Sequence, residues 1–157
     1  MDIYYKPISE SGKQMINYVC KYAPVELFKG FGQECAVLEE MPENFDKSDK
    51  IAHANLCGFG KSVIQAVLEG KVEELVLVNC CDSMRRVYDI IENTKKCKFL
   101  YMLDLPHEDN ECENIKFAQS ILRLKKAYER YSHRTFDREL FIKSFAKPQS
   151  ERKPYIG

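Results

Sequence analysis

The chain has 157 residues, and its 24 lysines and arginines balance its 24 aspartates and glutamates. One domain of this length can bury roughly two-thirds of the surface of its unfolded chain. The balanced charge argues against nucleic-acid binding, because no basic excess is available to contact phosphates.

The apolar segments are too short to cross a membrane, which takes roughly 20 residues. The N-terminus, MDIYYKPISE, lacks the basic start and the apolar stretch of a signal peptide. We therefore expect a cytoplasmic protein without a membrane partner.

The first 50 residues predict two helices, a strand and a connection. Residues 11–22 carry apolar side chains at helical spacing, which predicts an amphipathic helix. Pro24 opens a second short helix, which two glycines end. Residues 35–38 fit a short buried strand, and the acidic residues 39–50 fit a solvated connection.

From residue 62 onward, helices and strands alternate. The predicted elements are a helix over 62–68, a strand over 75–79, a helix over 82–93, a strand over 99–103, a long helix over 113–131 and a helix over 137–145. The inward face predicted for the long helix carries Ile115, Ala118, Ile121, Leu122, Lys125 and Tyr128. Residues 153–157 resemble the start of a further strand.

This order predicts one α/β domain over residues 1–157, in which a small parallel sheet carries helices on both faces. Such a three-layer arrangement is of the Rossmann or flavodoxin type. In open sheets of this kind ligands bind at the carboxyl ends of the strands. The segment EELVLVNCCDSMRR, residues 73–86, is therefore of interest, because a buried strand there ends in two thiols, a carboxylate and a hydroxyl.

Seven cysteines are many for a cytosolic chain, in which thiols are kept reduced. Their odd number and irregular spacing do not suggest a disulfide framework, so a metal or a reactive thiol is the better hypothesis. The chain has no CxxC pair, which excludes zinc ribbons and thioredoxin-like motifs. A metal site would have to combine cysteines that are distant in sequence.

Two cysteines have a favourable position for metal binding. A thiolate is the form that ligates iron, and the partial positive charge of a helix N-terminus stabilises it. Cys57 and Cys81 both precede predicted helices. Cys80 would point away from Cys81 if the strand continued through it, so we favour Cys81 as the ligand of the pair.

The segments HANLCGFGKS, VNCCDSMRRVYDII and YMLDLPH, in this order, resemble the 2-hydroxyacyl-CoA dehydratase family, which includes the 2-hydroxyglutaryl-CoA dehydratase D-component and benzoyl-CoA reductase. YAPVELFKGFG is similar to the opening of that family. The resemblance extends from about Tyr22 to Gly157. It implies the N-terminal half of a subunit, which ends where a second α/β domain would begin.

The resemblance implies an oxygen-sensitive [4Fe-4S] cluster, held by three cysteines of the subunit. Cys57 corresponds to the first of these cysteines and Cys81 to the second. The third is expected outside this chain, in the C-terminal half of the family, unless one of the remaining cysteines of this chain has taken over its role. The implied activity is that of a lyase, in which an electron passed to a CoA thioester drives radical elimination of water. The implied partners are that CoA-thioester substrate, a homologous subunit or C-terminal half, and an ATP-dependent activator protein.

Simpler roles remain open for these residues. Cys57 and Cys81 could be small buried hydrophobic residues, and we interpret the remaining cysteines as packing or surface residues. These remaining cysteines are Cys20, Cys35, Cys97 and Cys112.

Polar residues near the two cysteines also have two possible roles. Asp82 and Ser83 could hydrogen-bond to a cluster, although capping a helix is the commoner use of both. Arg85 and Arg86 could contact CoA phosphates or cover an exposed helix face.

The same is true of the histidines and glycines nearby. His53 and His107 could transfer protons or simply stabilise loops. Gly58 and Gly60 could admit a ligand or form a tight turn.

Two classes of function are therefore compared below. In the first, the chain is an iron-sulfur domain or subunit fragment of a radical dehydratase. In the second, it is a non-catalytic α/β binding or scaffold module that keeps the fold without a complete cluster.

Overall fold

Four short strands form one parallel sheet in the computed structural model, which describes residues 15–39 and 41–146. The strands are β1 (Ile16–Tyr18), β2 (Cys35–Val37), β3 (Glu74–Val78) and β4 (Phe99–Leu103). Their order across the sheet is β2-β1-β3-β4, with every pair parallel. This is the order of flavodoxin-like sheets.

Helices cover both faces of the sheet. They are α1 (Val25–Lys29), α2 (Gly58–Leu68), α3 (Asp82–Thr94), α4 (Glu111–Ser132) and α5 (Arg138–Phe145). One buried cluster joins the sheet to α2 and α3, and a second joins it to α1 and α4. The predicted three-layer α/β architecture is thus confirmed. Among the described residues, none of the helices has the length and apolarity needed to cross a bilayer.

The central strand β3 links the two clusters. Its side chains alternate, with Leu75 and Leu77 packed under α2 and α3, and Val76 and Val78 packed under α1 and α4. All four are fully buried. Full burial of such a side chain contributes roughly 1.5–3 kcal/mol, so β3 is the element on which both layers depend.

The carboxyl ends of the strands lie at one edge of the sheet, because all strands run the same way. The chain leaves β1 towards β2 on one side, and β3 lies on the other side of β1. A gap between the outgoing connections arises at such a switch point. The ends of β1 and β3 therefore flank the expected ligand position.

The helix predicted over residues 11–22 is wrong where the structure describes this segment. Residues 16–18 form β1, whose Tyr18 pairs with Val76 of β3 and with Val37 of β2. Ile16 and Val19 fit a helical spacing and a strand equally well over so short a segment. Pairing with two neighbouring strands decides in favour of the strand.

The predicted solvated connection over residues 39–50 is only partly correct. Ser48 is fully buried and lies in a single turn of 3₁₀ helix over Ser48–Lys50. The Oε1 atom of Gln65 accepts hydrogen bonds from the backbone N–H groups of Lys47, at 3.0 Å, and Ser48, at 2.8 Å. A buried amide side chain in α2 thus fixes this connection.

The long helix α4 is present, but its inward face differs from the predicted one. Ile115 and Leu122 are 53% and 55% exposed. The buried side chains of α4 are Ser120, Leu124 and Tyr128, of which only Tyr128 was expected. The expected Ile121 is partly buried and packs against the same cluster as Leu124 and Tyr128. The other predicted helices and strands are present within four residues of their expected bounds. The strand expected over 153–157 lies outside the described residues.

Glu74, at the amino end of β3, is a buried carboxylate. It is 4% exposed, and its Oε1 accepts a hydrogen bond from the Tyr131 hydroxyl at 2.8 Å. Its Oε2 atom has no hydrogen-bond partner among the described residues. Burial raises the pKa of Glu74 above its ordinary value of 4.5, and the bond from Tyr131 only partly opposes this.

We predict that Glu74→Gln stabilises the protein at pH 7 by about 1 kcal/mol, since it removes a buried charge but keeps an oxygen that accepts from Tyr131. A carboxyl whose pKa is raised on folding stabilises the protein fully below pH 4.5 and loses this contribution as the pH rises. The variant should therefore show a flatter decline in stability above pH 4.5. Urea unfolding at a series of pH values measures this.

Glu73→Gln serves as the control, because Glu73 pairs with Lys98 at 2.7 Å on the surface and such pairs contribute little. If Glu74→Gln destabilised the protein equally at every pH, the effect would not come from ionisation of this carboxyl, and the prediction would be wrong.

Candidate functional site

A cavity of about 330 Å³ lies at the carboxyl edge of the sheet, beside the ends of β1 and β3. Four thiols and a set of apolar side chains line it. The lining residues are Val19, Cys20, Val37, Leu38, Glu39, Cys57, Phe59, Cys80, Cys81 and Met84. The structure thus brings both predicted ligands, Cys57 and Cys81, to one cavity from different loops.

Cys57 lies at the N-terminus of α2, where it is the N-cap residue. Its backbone is extended, and its Sγ accepts a hydrogen bond from the Gly60 backbone N–H at 3.3 Å. The side chain is exposed towards the cavity and is a free thiol. The first turn of the helix therefore directs a backbone donor at this sulfur.

Gly60 is needed because α2 packs closely on α3 there. A Cβ at this position would lie 3.0 Å from Cγ2 of Val87 and 3.4 Å from the Cys57 sulfur. A Cβ at Gly58 would meet nothing within 4 Å. The role of Gly60 is thus close packing within the first turn of α2, which also fixes the Cys57 thiol.

Cys81 is the N-cap residue of α3 and has an extended backbone. Asp82 or Ser83 was expected to cap this helix, but the helix begins at Asp82 and the N-cap makes no side-chain hydrogen bond. The predicted capping role of both residues is therefore wrong. Asp82 lies in the first turn instead, where a carboxylate interacts favourably with the helix dipole.

Cys80 does not point away from the cavity. The expectation assumed that β3 continues through Cys80, but the strand ends at Val78 and both adjacent thiols line the cavity. Burial raises the pKa of the Cys80 thiol to about 11, and the neighbouring thiols of Cys20 and Cys81 add to the increase. Cys80 therefore interacts with two other thiols of the cavity.

Cys20 is the member of this site that the sequence did not indicate. It lies two residues beyond β1, and its backbone has φ +84°, an uncommon conformation for a residue other than glycine. Such strain costs on the order of 1–3 kcal/mol and is concentrated at functional sites. The sequence signal for it is a cysteine just after a short strand, but residues 16–18 were interpreted as helical.

The remaining cysteines lie away from the cavity. Cys35 is in β2, and burial raises its pKa to about 12, while Cys97 precedes β4 and its pKa is raised to about 11, again mainly by burial. Cys112 is exposed in the first turn of α4. Their interpretation as packing or surface residues agrees with these positions.

The sequence model for the family "2-hydroxyglutaryl-CoA dehydratase, D-component" matches residues 20–155. The chain belongs to this family. The match covers most of the chain, including all four cysteines of the cavity. A search of curated proteins gave no match.

Four thiols line the cavity of this chain, namely those of Cys20, Cys57, Cys80 and Cys81. Within residues 15–39 and 41–146, no three His, Cys, Asp or Glu side chains are grouped closely enough to hold a single metal ion. A single ion draws its ligands to one point, whereas each cysteine of an iron–sulfur cluster binds a different iron atom.

A second, more polar cavity of about 590 Å³ adjoins the first turn of α3. Its lining residues are His53, Asn55, Leu56, Asp82, Ser83, Arg86, Asp89 and Ile90. Leu56 and Asp82 directly adjoin Cys57 and Cys81 in the chain, so the two cavities are neighbours. Arg86 thus faces a cavity.

Arg85 and His107 have other local partners. The Arg85 side chain donates to Asn79 at 2.6 Å, and Asn79 in turn donates to Asp104 at 3.2 Å. This network joins the carboxyl ends of β3 and β4. His107 lies in an exposed loop, where its backbone N–H donates to Glu113 at 3.3 Å.

We predict that Gly60→Ala destabilises the protein by about 1–3 kcal/mol, because the added methyl group would lie 3.0 Å from Val87 and 3.3 Å from Leu56 and forces these side chains to move. Gly58→Ala is the matched control. It should stabilise the protein by up to about 1 kcal/mol, since alanine is the better helix former and meets no neighbour there. Urea unfolding of both variants tests this, and equal stability would show that α2 and α3 are not in close contact.

Proposed function

We propose that the chain is an iron–sulfur domain or subunit fragment of a 2-hydroxyacyl-CoA dehydratase, with Cys57 and Cys81 as cluster ligands. The observation that carries this proposal is the position of both thiols on one cavity, at the switch point of a parallel sheet. The two cysteines are 24 residues apart in sequence, and the fold alone brings them to the same cavity.

The donor set of the cavity fits a [4Fe-4S] cluster. Its cysteines are free thiols, and thiolates are the usual protein ligands of such clusters. When bound, the cluster would supply one-electron transfer. The residues of the chain would hold it at the cavity and set its surroundings.

Three features of the cavity would support such a group. The Gly60 backbone N–H, which bonds the Cys57 sulfur at 3.3 Å, stabilises negative charge on that ligand. Apolar side chains such as Leu38 and Met84 restrict water on the inner wall. The close packing of α2 on α3 holds the two helix N-termini, and therefore both thiols, in fixed positions.

The proposed partners follow from the family. The substrate would be a CoA thioester, and the neighbouring polar cavity, to which Arg86 contributes, could receive part of it. A homologous dehydratase subunit or a C-terminal half would complete the enzyme, and an ATP-dependent activator protein would supply the electron. The lyase reaction would belong to that complete assembly.

The test is reconstitution of the full chain with iron and sulfide in the absence of oxygen. We expect a brown protein with about four irons per bound cluster, and loss of both colour and iron in Cys57→Ala and in Cys81→Ala. Measured iron and sulfide contents, with the visible absorbance, give the result.

Cys112→Ala is the matched control, because this exposed thiol lies outside the cavity. It should bind iron like the unmodified chain. If the unmodified chain stayed colourless after anaerobic reconstitution, the result would favour the alternative. In that case the chain is a non-catalytic α/β binding or scaffold module that keeps the fold without a complete cluster.

A further inference from the structure

We infer that Cys20 supplies a third thiolate to the same cluster, so that this chain contributes three ligands. The inference rests on the proposed function and extends it to a residue whose neighbourhood only the fold reveals. It replaces the expectation that the third cysteine lies outside the chain.

The position of β1 brings Cys20 to the site. β1 lies between β2 and β3 and runs parallel to both, so its carboxyl end reaches the same edge as that of β3. Cys20 follows β1 by two residues and Cys80 follows β3 by two residues. Cys20 consequently lines the cavity together with Cys57 and Cys81.

The three thiols come from three separate loops. Cys57 precedes α2, Cys81 precedes α3, and Cys20 lies in the turn between β1 and α1. The Cys20 carbonyl accepts a hydrogen bond from the Ala23 backbone N–H at 3.1 Å, which closes this turn. Ligands from separate loops can reach different iron atoms around a cluster, and each thiol would release its proton as the sulfur–iron bond forms.

Cys20 is a better third ligand than Cys80. Cys80 directly precedes Cys81 in the loop between β3 and α3, so both of these thiols reach the cavity from the same loop. One of these adjacent thiols is therefore expected to ligate, while Cys20 approaches from an independent element.

The experiment compares Cys20→Gly with the unmodified chain in the same anaerobic reconstitution. Glycine accepts positive φ without strain, so this substitution removes the thiol but suits the backbone at φ +84°. We expect the apoprotein to melt at the same or a higher temperature and the reconstituted protein to lose most of its iron and sulfide, with a changed electron paramagnetic resonance spectrum. Cys112→Ala controls for the loss of a thiol elsewhere.

The outcomes separate this inference from the proposed function. If the chain binds a cluster that Cys57→Ala and Cys81→Ala abolish while Cys20→Gly keeps full iron content, only the role of Cys20 is overturned. The role of Cys20 would also be overturned if Cys80→Ala lost the cluster while Cys20→Gly retained it. If the unmodified chain binds no cluster, the proposed function fails, and the inference on Cys20 fails with it.

Discussion

The site depends on the parallel pairing of β1 with β2 on one side and β3 on the other. This pairing creates the point at which the connections of the sheet diverge, and it brings the loops after β1 and β3 to the same edge. The N-termini of α2 and α3 complete the cavity from the adjacent face. Thiols from three loops that are far apart in sequence meet only because the strands run in the same direction.

Much of the fold could be predicted from the sequence because its central elements are strongly patterned. β3 reads as a continuous apolar run, as a strand buried on both faces must, and β4 was predicted with its observed bounds. β1 was missed because a three-residue strand is too short for periodicity to distinguish it from a helix. Its identity comes from its partners in the sheet, Cys35–Val37 and Leu75–Val76, which no local pattern encodes.

The same distinction explains what could be predicted of the site. Cys57 and Cys81 precede long, well-patterned helices, so their positions at helix N-termini were accessible from the sequence. The position of Cys20 follows from that of β1, so it was missed when residues 16–18 were interpreted as helical. Cys80 was misplaced for a related reason, since the strand ends two residues earlier than the alternation argument assumed.

The two sides of the cavity differ in how firmly they are held. β1 pairs with β3 through two residue positions, whereas β3 pairs with β4 through five. Segments with few pairing and packing contacts open locally at a lower free energy than the rest of a protein. The wall formed by the end of β1 is consequently displaced more easily than the wall formed by the packed helices. A bound group larger than the cavity would therefore be accommodated by displacement of β1.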